Sequence, residues 1–322
     1  MIQETVARCG GWIEPANTWV VTNDVQAAET RRQLPDVPDE QILIEPCARN
    51  TAPCLGLAAI HLLHADPDAL MFVMPADHAI SPIEAFQRAG RTAAAIVAAD
   101  PSQFVLFGVP PAFPATGYGY IERGDALGDV PAGFKVASFR EKPNREVAQQ
   151  FVEAGSYYWN CGIFCWTASS LLAVMAEHEP DMHDRLQRVA RAIGSGDYEA
   201  TLATEFPGMN SISVDYAVLE KAGNVSVVEA PFEWDDVGSW LSLPRLLGAD
   251  EKGNTIDGSF CGVRTEGSIV RTTDDHTVAM LGMQNCIVVH TPDATLIANR
   301  DDADAMRDLH QALRDQGLDH LL

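Results

Sequence analysis

A chain of 322 residues is long enough for about two domains of roughly 150 residues each. Its 22 Lys and Arg against 45 Asp and Glu leave a net charge of −23, which excludes a general electrostatic hold on nucleic acid or on anionic lipid. Hydrophobic residues make up 47% of the chain and arrive in short runs, so it reads as globular rather than disordered. In chain order, Thr18–Thr22, Gln41–Ile44, Leu70–Met74 and Phe104–Gly108 read as strands, with helical patterns between them at Asp24–Leu34, Ala52–His64 and Ile83–Ala99. That alternation predicts a parallel sheet covered on both faces. From about Gly117 the rhythm changes: Tyr118–Glu122 and Phe134–Arg140 read as antiparallel strands and Arg145–Ala154 as a helix, together an insertion over a cleft. Helical patterns return at Ala168–His178, Met182–Ile193 and Val214–Lys221, and Val225–Pro231 reads as a further strand. After Leu247, glycines punctuate short β-rich runs through Ile297, and a helix at Ala303–Leu313 closes a small β domain. No internal repeat or long linker is visible.

The seven cysteines form no CxxC pair and are odd in number, which predicts reduced thiols and a cytoplasmic protein. Cys161 and Cys165 fall in the apolar stretch Tyr157–Trp166, where alternation predicts that both are buried on one side of a strand. No run approaches the roughly 18 apolar residues of a membrane span, and the first residues lack a signal pattern.

Several segments carry residue types suited to chemistry. Met71–His78 is a buried strand that delivers Asp77 to its C-terminal end, where open α/β sheets bind ligands. Asp77 suits a hard cation such as Mg²⁺, which takes one or two carboxylates and fills its other positions with water and phosphate oxygens. Capping of the next helix is an equal account of Asp77, and His78 reads as an orienting or packed side chain. Asp235 and Asp236, between Trp234 and Gly238, cap a helix or supply a second carboxylate to the same ion. Lys142, in Phe139–Pro143, either neutralises a phosphate or pairs with Glu141 beside it. Arg49, Asn50 and Thr51 lie between a strand and a helix, so their backbone donors can meet a base or phosphate, unless Thr51 is an ordinary N-cap. Gly117 lets backbone approach a ligand, and Asn160 beside Trp159 suits a sugar's hydroxyls and apolar face; a turn and a core strand explain them equally well. No Ser/His/Asp order, His-rich metal motif or GxGxxG stands out.

The ordered set EPCARNTAP, PADH, TGYGYIE, FREKP, YYWNCGIF, SVDYAVLEK and FEWDDVGSW closely resembles the bacterial mannose-1-phosphate guanylyltransferases, the GDP-mannose pyrophosphorylases, from about Ile2 to Leu247 and more weakly beyond. The resemblance implies a Rossmann-like, GT-A-like mixed sheet with helices on both faces over residues 1–247, and a small β-rich domain over 248–322. It implies transfer of GMP from GTP to mannose 1-phosphate with release of pyrophosphate, assisted by Mg²⁺. Motif by motif, Asp77 and Asp236 would hold the metal, with Asp235 a bystander, and Lys142 would hold the phosphate of mannose 1-phosphate. Gly117, Glu141 and Asn160 would contact the sugar, and Arg49, Asn50 and Thr51 would lie near the nucleotide. No nucleic-acid or membrane partner is implied, and a homodimer is an assembly open to the chain. The family opens with a central strand and a Gly-rich GGxGTRxxP loop, whereas Met1–Thr5 resembles the helix after it; the natural reading frame is therefore expected to start upstream. The end of the chain resembles the short form, without an isomerase domain. The competing functions are a sugar-phosphate nucleotidyltransferase of another base or sugar, and a catalytically silent, sugar-nucleotide-binding regulatory subunit.

Overall fold

A computed structural model describes every residue apart from Asp129, Asp274 and Leu322. The chain divides into two compact units, Met1–Trp234 and Asp235–Leu322. The first unit opens with helix α1 (Ile2–Cys9), followed by strand β1 (Val20–Asn23), α2 (Asp24–Gln33), β2 (Ile42–Glu45), α3 (Thr51–Ala65), β3 (Leu70–Val73), β4 (Ala79–Ser81), α4 (Ile83–Ala99) and β5 (Phe104–Val109). It continues through β6 (Gly119–Ala126), β7 (Gly133–Arg140), α5 (Arg145–Ala154), β8 (Tyr157–Thr167), α6 (Ala168–His178), α7 (Pro180–Ala192), α8 (Tyr198–Glu205), a π-helix (Asp215–Leu219) and β9 (Val225–Glu229) to β10 (Glu233–Asp235), which lies at the division. Local chemistry sets several boundaries. Asn23 and Asn144 accept the backbone N–H of Gln26 and Val147 as N-caps of α2 and α5, and α5 stops at Gly155, whose φ of 66° needs no Cβ.

The structure has the mixed sheet that the resemblance implies, where the opening strand–helix alternation by itself predicted a parallel one. The main sheet runs β3-β8-β5-β9-β7-β6 and is mixed: β5 and β9 are parallel, whereas β8 lies antiparallel to both β3 and β5. A further parallel pair, β1 with β2, forms a separate two-stranded sheet. The cause is the β6–β7 hairpin and α5, which turn the chain round before it re-enters the sheet as the eleven-residue β8. Helices cover both faces as expected. On β5, Leu106 points into a core with Leu57, Leu171, Met175 and Leu186 from α3, α6 and α7, while its neighbours Val105 and Phe107 point into a second core with Phe86, Ala93 and Val97 from α4. Each such fully buried side chain contributes roughly 1.5–3 kcal/mol. Cys161 and Cys165 both sit in this second core as free thiols, and burial pushes each up to about 12.

The second unit comprises helix α9 (Leu243–Leu247), strands β11 (Thr255–Asp257), β12 (Ser259–Val263), β13 (Ile269–Arg271), β14 (Thr277–Leu281), β15 (Cys286–His290) and β16 (Thr295–Asn299), and helix α10 (Met306–Asp315). The closing helix expected over Ala303–Leu313 begins later, because a 3-10 turn occupies Arg300–Ala305. β11, β13 and β15 stack in parallel register, Thr255 over Ile269 over Ile287, and β12 stacks on β14 in the same sense. Successive coils thus repeat, a periodicity hidden in the sequence because the turns between strands differ in length. The division falls before the expected boundary at Leu247: Leu243, with Trp240 and Leu241, packs on Ile269, Ile287 and Val289 and draws 235–247 into this unit.

A buried polar ladder pins one corner of the coils. Asn254, only 3% exposed, accepts the Ser268 N–H and donates to the Thr265 carbonyl and to Asp250, and the Ser268 hydroxyl in turn accepts the Cys286 N–H. Asn254→Ala leaves a backbone N–H and a carbonyl buried without partners, so it is expected to destabilise this unit by about 3 kcal/mol. Urea denaturation followed by tryptophan fluorescence measures the loss; a change below the scatter of surface substitutions would show that the ladder carries no stability.

Candidate functional site

β6, β7, β8 and the π-helix bring four of the motifs together in the first unit. Between Leu106 and Gly108 of β5 and their partners Phe164 and Asn160, the β8 register slips, and Gly162 within the slip has φ +70°. Such a bulge re-aims the residues beside it. Here it lets the Gly162 N–H reach Asn160 Oδ1 at 3.2 Å, while Asn160 Nδ2 donates to Asp215 Oδ1 at 2.9 Å. Across the strand pair Asn160 faces Gly119, where an added Cβ would collide with a Glu141 carboxylate oxygen. Gly119 is therefore the glycine that close approach requires in this motif; Gly117 has open space where its Cβ would be.

Glu141 and Lys142 form an ion pair, Nζ to Oε1 at 3.1 Å, with the lysine side chain 63% exposed and the glutamate 12%. The pairing account of Lys142 is thus part of the structure. The ammonium itself is open to solvent, which screens its attraction to Glu141 on that side. Lys142 also has φ 46°, a left-handed conformation held by its N–H on the Tyr118 carbonyl. Asn50 (φ 66°) and Val237 (φ 50°) share that region, so three of the six non-glycine residues with positive φ among the described residues fall in three of the motifs. For β-branched Val237 this is strained backbone, and strain of this kind gathers at functional sites.

Asp77 follows β3 in a turn and caps no helix, because α4 begins at Ile83 after Pro82. The helix-capping account of Asp77 is therefore set aside. The turn is tied down on both flanks of the acid: the Thr5 hydroxyl donates to the Ala76 carbonyl at 3.1 Å, and the buried Arg8 donates to the His78 carbonyl at 2.8 Å. Trp234 Nε1–H donates to His78 Nδ1 at 3.0 Å; an indole N–H is only a donor, so the His78 ring accepts there and orients as expected.

The stretch after β2 departs from expectation. Asn50, not Thr51, caps α3, and its Oδ1 takes the Thr51 N–H. The Thr51 hydroxyl accepts the Val214 N–H at 2.9 Å, Ala52 N–H donates to the Ile212 carbonyl, and Arg49 donates to the Pro207 carbonyl. The Arg49 guanidinium and the Ala52 N–H thus hold 207–214 against α3 with the Thr51 hydroxyl as acceptor, while Arg49 Nε is buried without a hydrogen-bond partner. Glu45, at the end of β2, is pushed up to about 7 by burial, against a hydrogen bond from Cys54 that favours ionisation. The folded state therefore binds this proton more tightly than the unfolded chain, and stability is lost as pH rises from 4.5 through 7. Glu45→Gln is expected to gain on the parent by an amount on the order of 2 kcal/mol between pH 4.5 and 8, read from denaturation midpoints at both pH values. A constant difference would place Glu45 in an ordinary solvated setting.

In the second unit Asp235 is buried, accepts the Val237 N–H at 2.8 Å and pairs with Arg245, whereas Asp236 accepts the Gly238 N–H at 3.2 Å. Neither caps a helix, since the next one begins at Trp240 after Ser239. Sequence reasoning missed Asp215, although its signal was present: an acid inside the apolar helical pattern 214–221, where burial of a carboxylate needs a reason. Gly119 lies in the TGYGYIE motif, whose glycines suit a close backbone approach, whereas the α1 anchors Thr5 and Arg8 carried no such signal.

The nucleotidyl transferase family model matches residues 1–252, and a MannoseP isomerase/GMP-like β-helix domain model matches residues 258–313. Mannose-1-phosphate guanylyltransferase of Klebsiella pneumoniae is 38% identical over 94% of this chain and 64% of its own length. Alginate biosynthesis protein AlgA of Pseudomonas syringae is 40% identical over 86% of this chain and 57% of its own. This chain thus spans less than two thirds of the length of these curated relatives. A crystal structure described as mannose-1-phosphate geranyltransferase from Thermus thermophilus superposes with a TM-score of 0.86 at 30% identity, covering 97% of this chain and 89% of that one.

Proposed function

The chain belongs to the nucleotidyl transferase family, and from that premise we propose that it transfers GMP from GTP to mannose 1-phosphate, forming GDP-mannose and pyrophosphate. The observation that carries this reading is the gathering of Glu141 and Lys142 from one motif with Asn160 from another around Gly119, in a chain whose relatives are named for that reaction. A phosphate oxygen of the sugar phosphate attacks the α-phosphorus of GTP; the new P–O bond forms as the bond to the β-phosphate oxygen breaks, and pyrophosphate leaves with that electron pair. Such a displacement needs positioning and charge neutralisation more than covalent chemistry.

Each group has a task in that scheme. The Lys142 ammonium neutralises the sugar phosphate, exchanging its exposed pairing with Glu141 for a dianion. Glu141 accepts from sugar hydroxyls, the Asn160 amide donates to one, and the open space at Gly117 admits the ring. Arg49, Asn50 and Thr51 serve the nucleotide through the turn they build. Asp77 and Asp236 are the carboxylates offered to Mg²⁺. Their oxygen donors fit a hard cation, and among the described residues no group of three or more His, Cys, Asp or Glu forms a closed protein cage. When bound, the ion withdraws charge from the triphosphate. The free cysteines support a cytoplasmic setting for the reaction.

Pyrophosphate release measured across GTP, dTTP and UTP with mannose 1-phosphate and glucose 1-phosphate tests the reading. GTP with mannose 1-phosphate should be the fastest pair; equal or greater turnover of dTTP or UTP with glucose 1-phosphate would overturn it.

A further inference from the structure

Asp215 belongs to none of the assigned roles, yet it is built into the same cluster. It opens the π-helix, a rare backbone form that recurs at functional sites. Its carboxylate takes one Asn160 Nδ2 proton at 2.9 Å, and the other end of that amide is held by the Gly162 N–H at 3.2 Å. With the carbonyl end bound to a donor and the amino end bound to an acceptor, the amide has a single orientation. One Nδ2 proton is then left for a ligand. Burial, and after it the negative charge of Glu141, push the Asp215 carboxyl above the ordinary carboxylate range. Two acids kept this close, both of them partly buried, disfavour an anionic neighbour and favour one that donates hydrogen bonds.

We propose that Asp215 is a specificity-determining positioning residue of the sugar subsite: it orients the Asn160 amide toward a sugar hydroxyl and, together with Glu141, makes the subsite select neutral polyhydroxyl rings over rings carrying a second acidic group. This rests on the proposed transferase reading for the identity of the reaction, and on the cluster alone for the residue's role. The orientation matters because a flipped amide would present its carbonyl to the ligand, so a hydroxyl would have to supply the proton and Glu141 would compete for it. Asp215 acts through Asn160, so removing both groups should cost little more than removing Asn160 alone.

The experiment uses the full chain with Asp215→Ala, Asp215→Asn, Asn160→Ala and the Asn160→Ala/Asp215→Ala double variant. Initial rates are measured against each substrate, and equilibrium binding of mannose 1-phosphate, glucose 1-phosphate and glucuronic acid 1-phosphate is measured by calorimetry. Asp215→Ala should raise KM and Kd for the neutral sugar phosphate by roughly 10- to 100-fold with KM for GTP unchanged. Asp215→Asn should recover part of that loss, because its amide oxygen still accepts from Asn160, and should admit the uronic acid better than the parent does. The double variant should match Asn160→Ala. Equal losses for GTP and sugar phosphate, additive losses in the double variant, or a shift in unfolding midpoint with no change in sugar binding would overturn the role of Asp215. If the parent prefers another neutral sugar phosphate and Asp215→Ala weakens that one, the mannose assignment fails and this inference stands. A parent that binds no sugar phosphate overturns both.

Discussion

Asp236→Asn and Asp77→Asn are each expected to lower turnover of GTP and mannose 1-phosphate by roughly 10²- to 10³-fold, the usual cost of removing one charge-stabilising group from a phosphate-handling site. The substitution keeps size and hydrogen-bonding shape but removes the charge that a hard cation requires. Folding should be little changed, because Asp77 is exposed in a turn held by Thr5 and Arg8, and an asparagine at 236 can still accept the Gly238 N–H. The magnesium concentration giving half-maximal rate should rise in both variants. Asp235→Asn should behave in the opposite way. Its carboxylate is buried against Arg245 and the Val237 N–H, so its loss should cost about 1–3 kcal/mol of stability while leaving the magnesium dependence unaltered. Apart from the metal, the structure gives Asp235 a packing role against Arg245 and the Val237 N–H. Should Asp235→Asn shift the magnesium requirement while Asp236→Asn leaves it in place, the roles of the two neighbouring acids would be exchanged.

Lys142→Ala is expected to lower kcat/KM for mannose 1-phosphate by roughly 10²- to 10³-fold, chiefly through a higher KM for the sugar phosphate, while KM for GTP stays near the parent value. The reason is electrostatic: the cluster otherwise offers the acids Glu141 and Asp215, and without the ammonium a dianionic phosphate loses the cation that offsets them. Lys142→Arg should restore only part of the activity. The planar guanidinium pairs well with carboxylates and would bind Glu141 more firmly, and the left-handed backbone at this position fixes where the longer side chain starts. Lys142→Gly should match the alanine variant in rate but exceed it in stability, since glycine adopts φ 46° without strain. A Lys142→Ala variant with both KM values unchanged would remove this lysine from phosphate binding.

By itself the sequence determined the strands and helices whose signals are local. α4 over Ile83–Ala99 and α5 over Arg145–Ala154 coincide with their patterns, because capping, apolar spacing and stop signals lie within a few residues of each element. The order of the motifs also determined the family, since seven short segments in one order carry more information than any one of them. The direction of β8 was decided only in three dimensions, where the hairpin before it reverses the chain; an apolar run looks the same whichever way it enters a sheet. The coil stack of the second unit and its Asn254 corner are likewise tertiary, because parallel rungs pair residues across turns of unequal length. So is the division of labour among polar residues. Arg49 donates to the Pro207 carbonyl and the Thr51 hydroxyl accepts the Val214 N–H, while Asp215 and Gly119 stand against Asn160 and Glu141. Which donor finds which acceptor depends on distances between segments far apart in the chain, and a carboxylate's burial and charge follow from those neighbours rather than from its place in a motif.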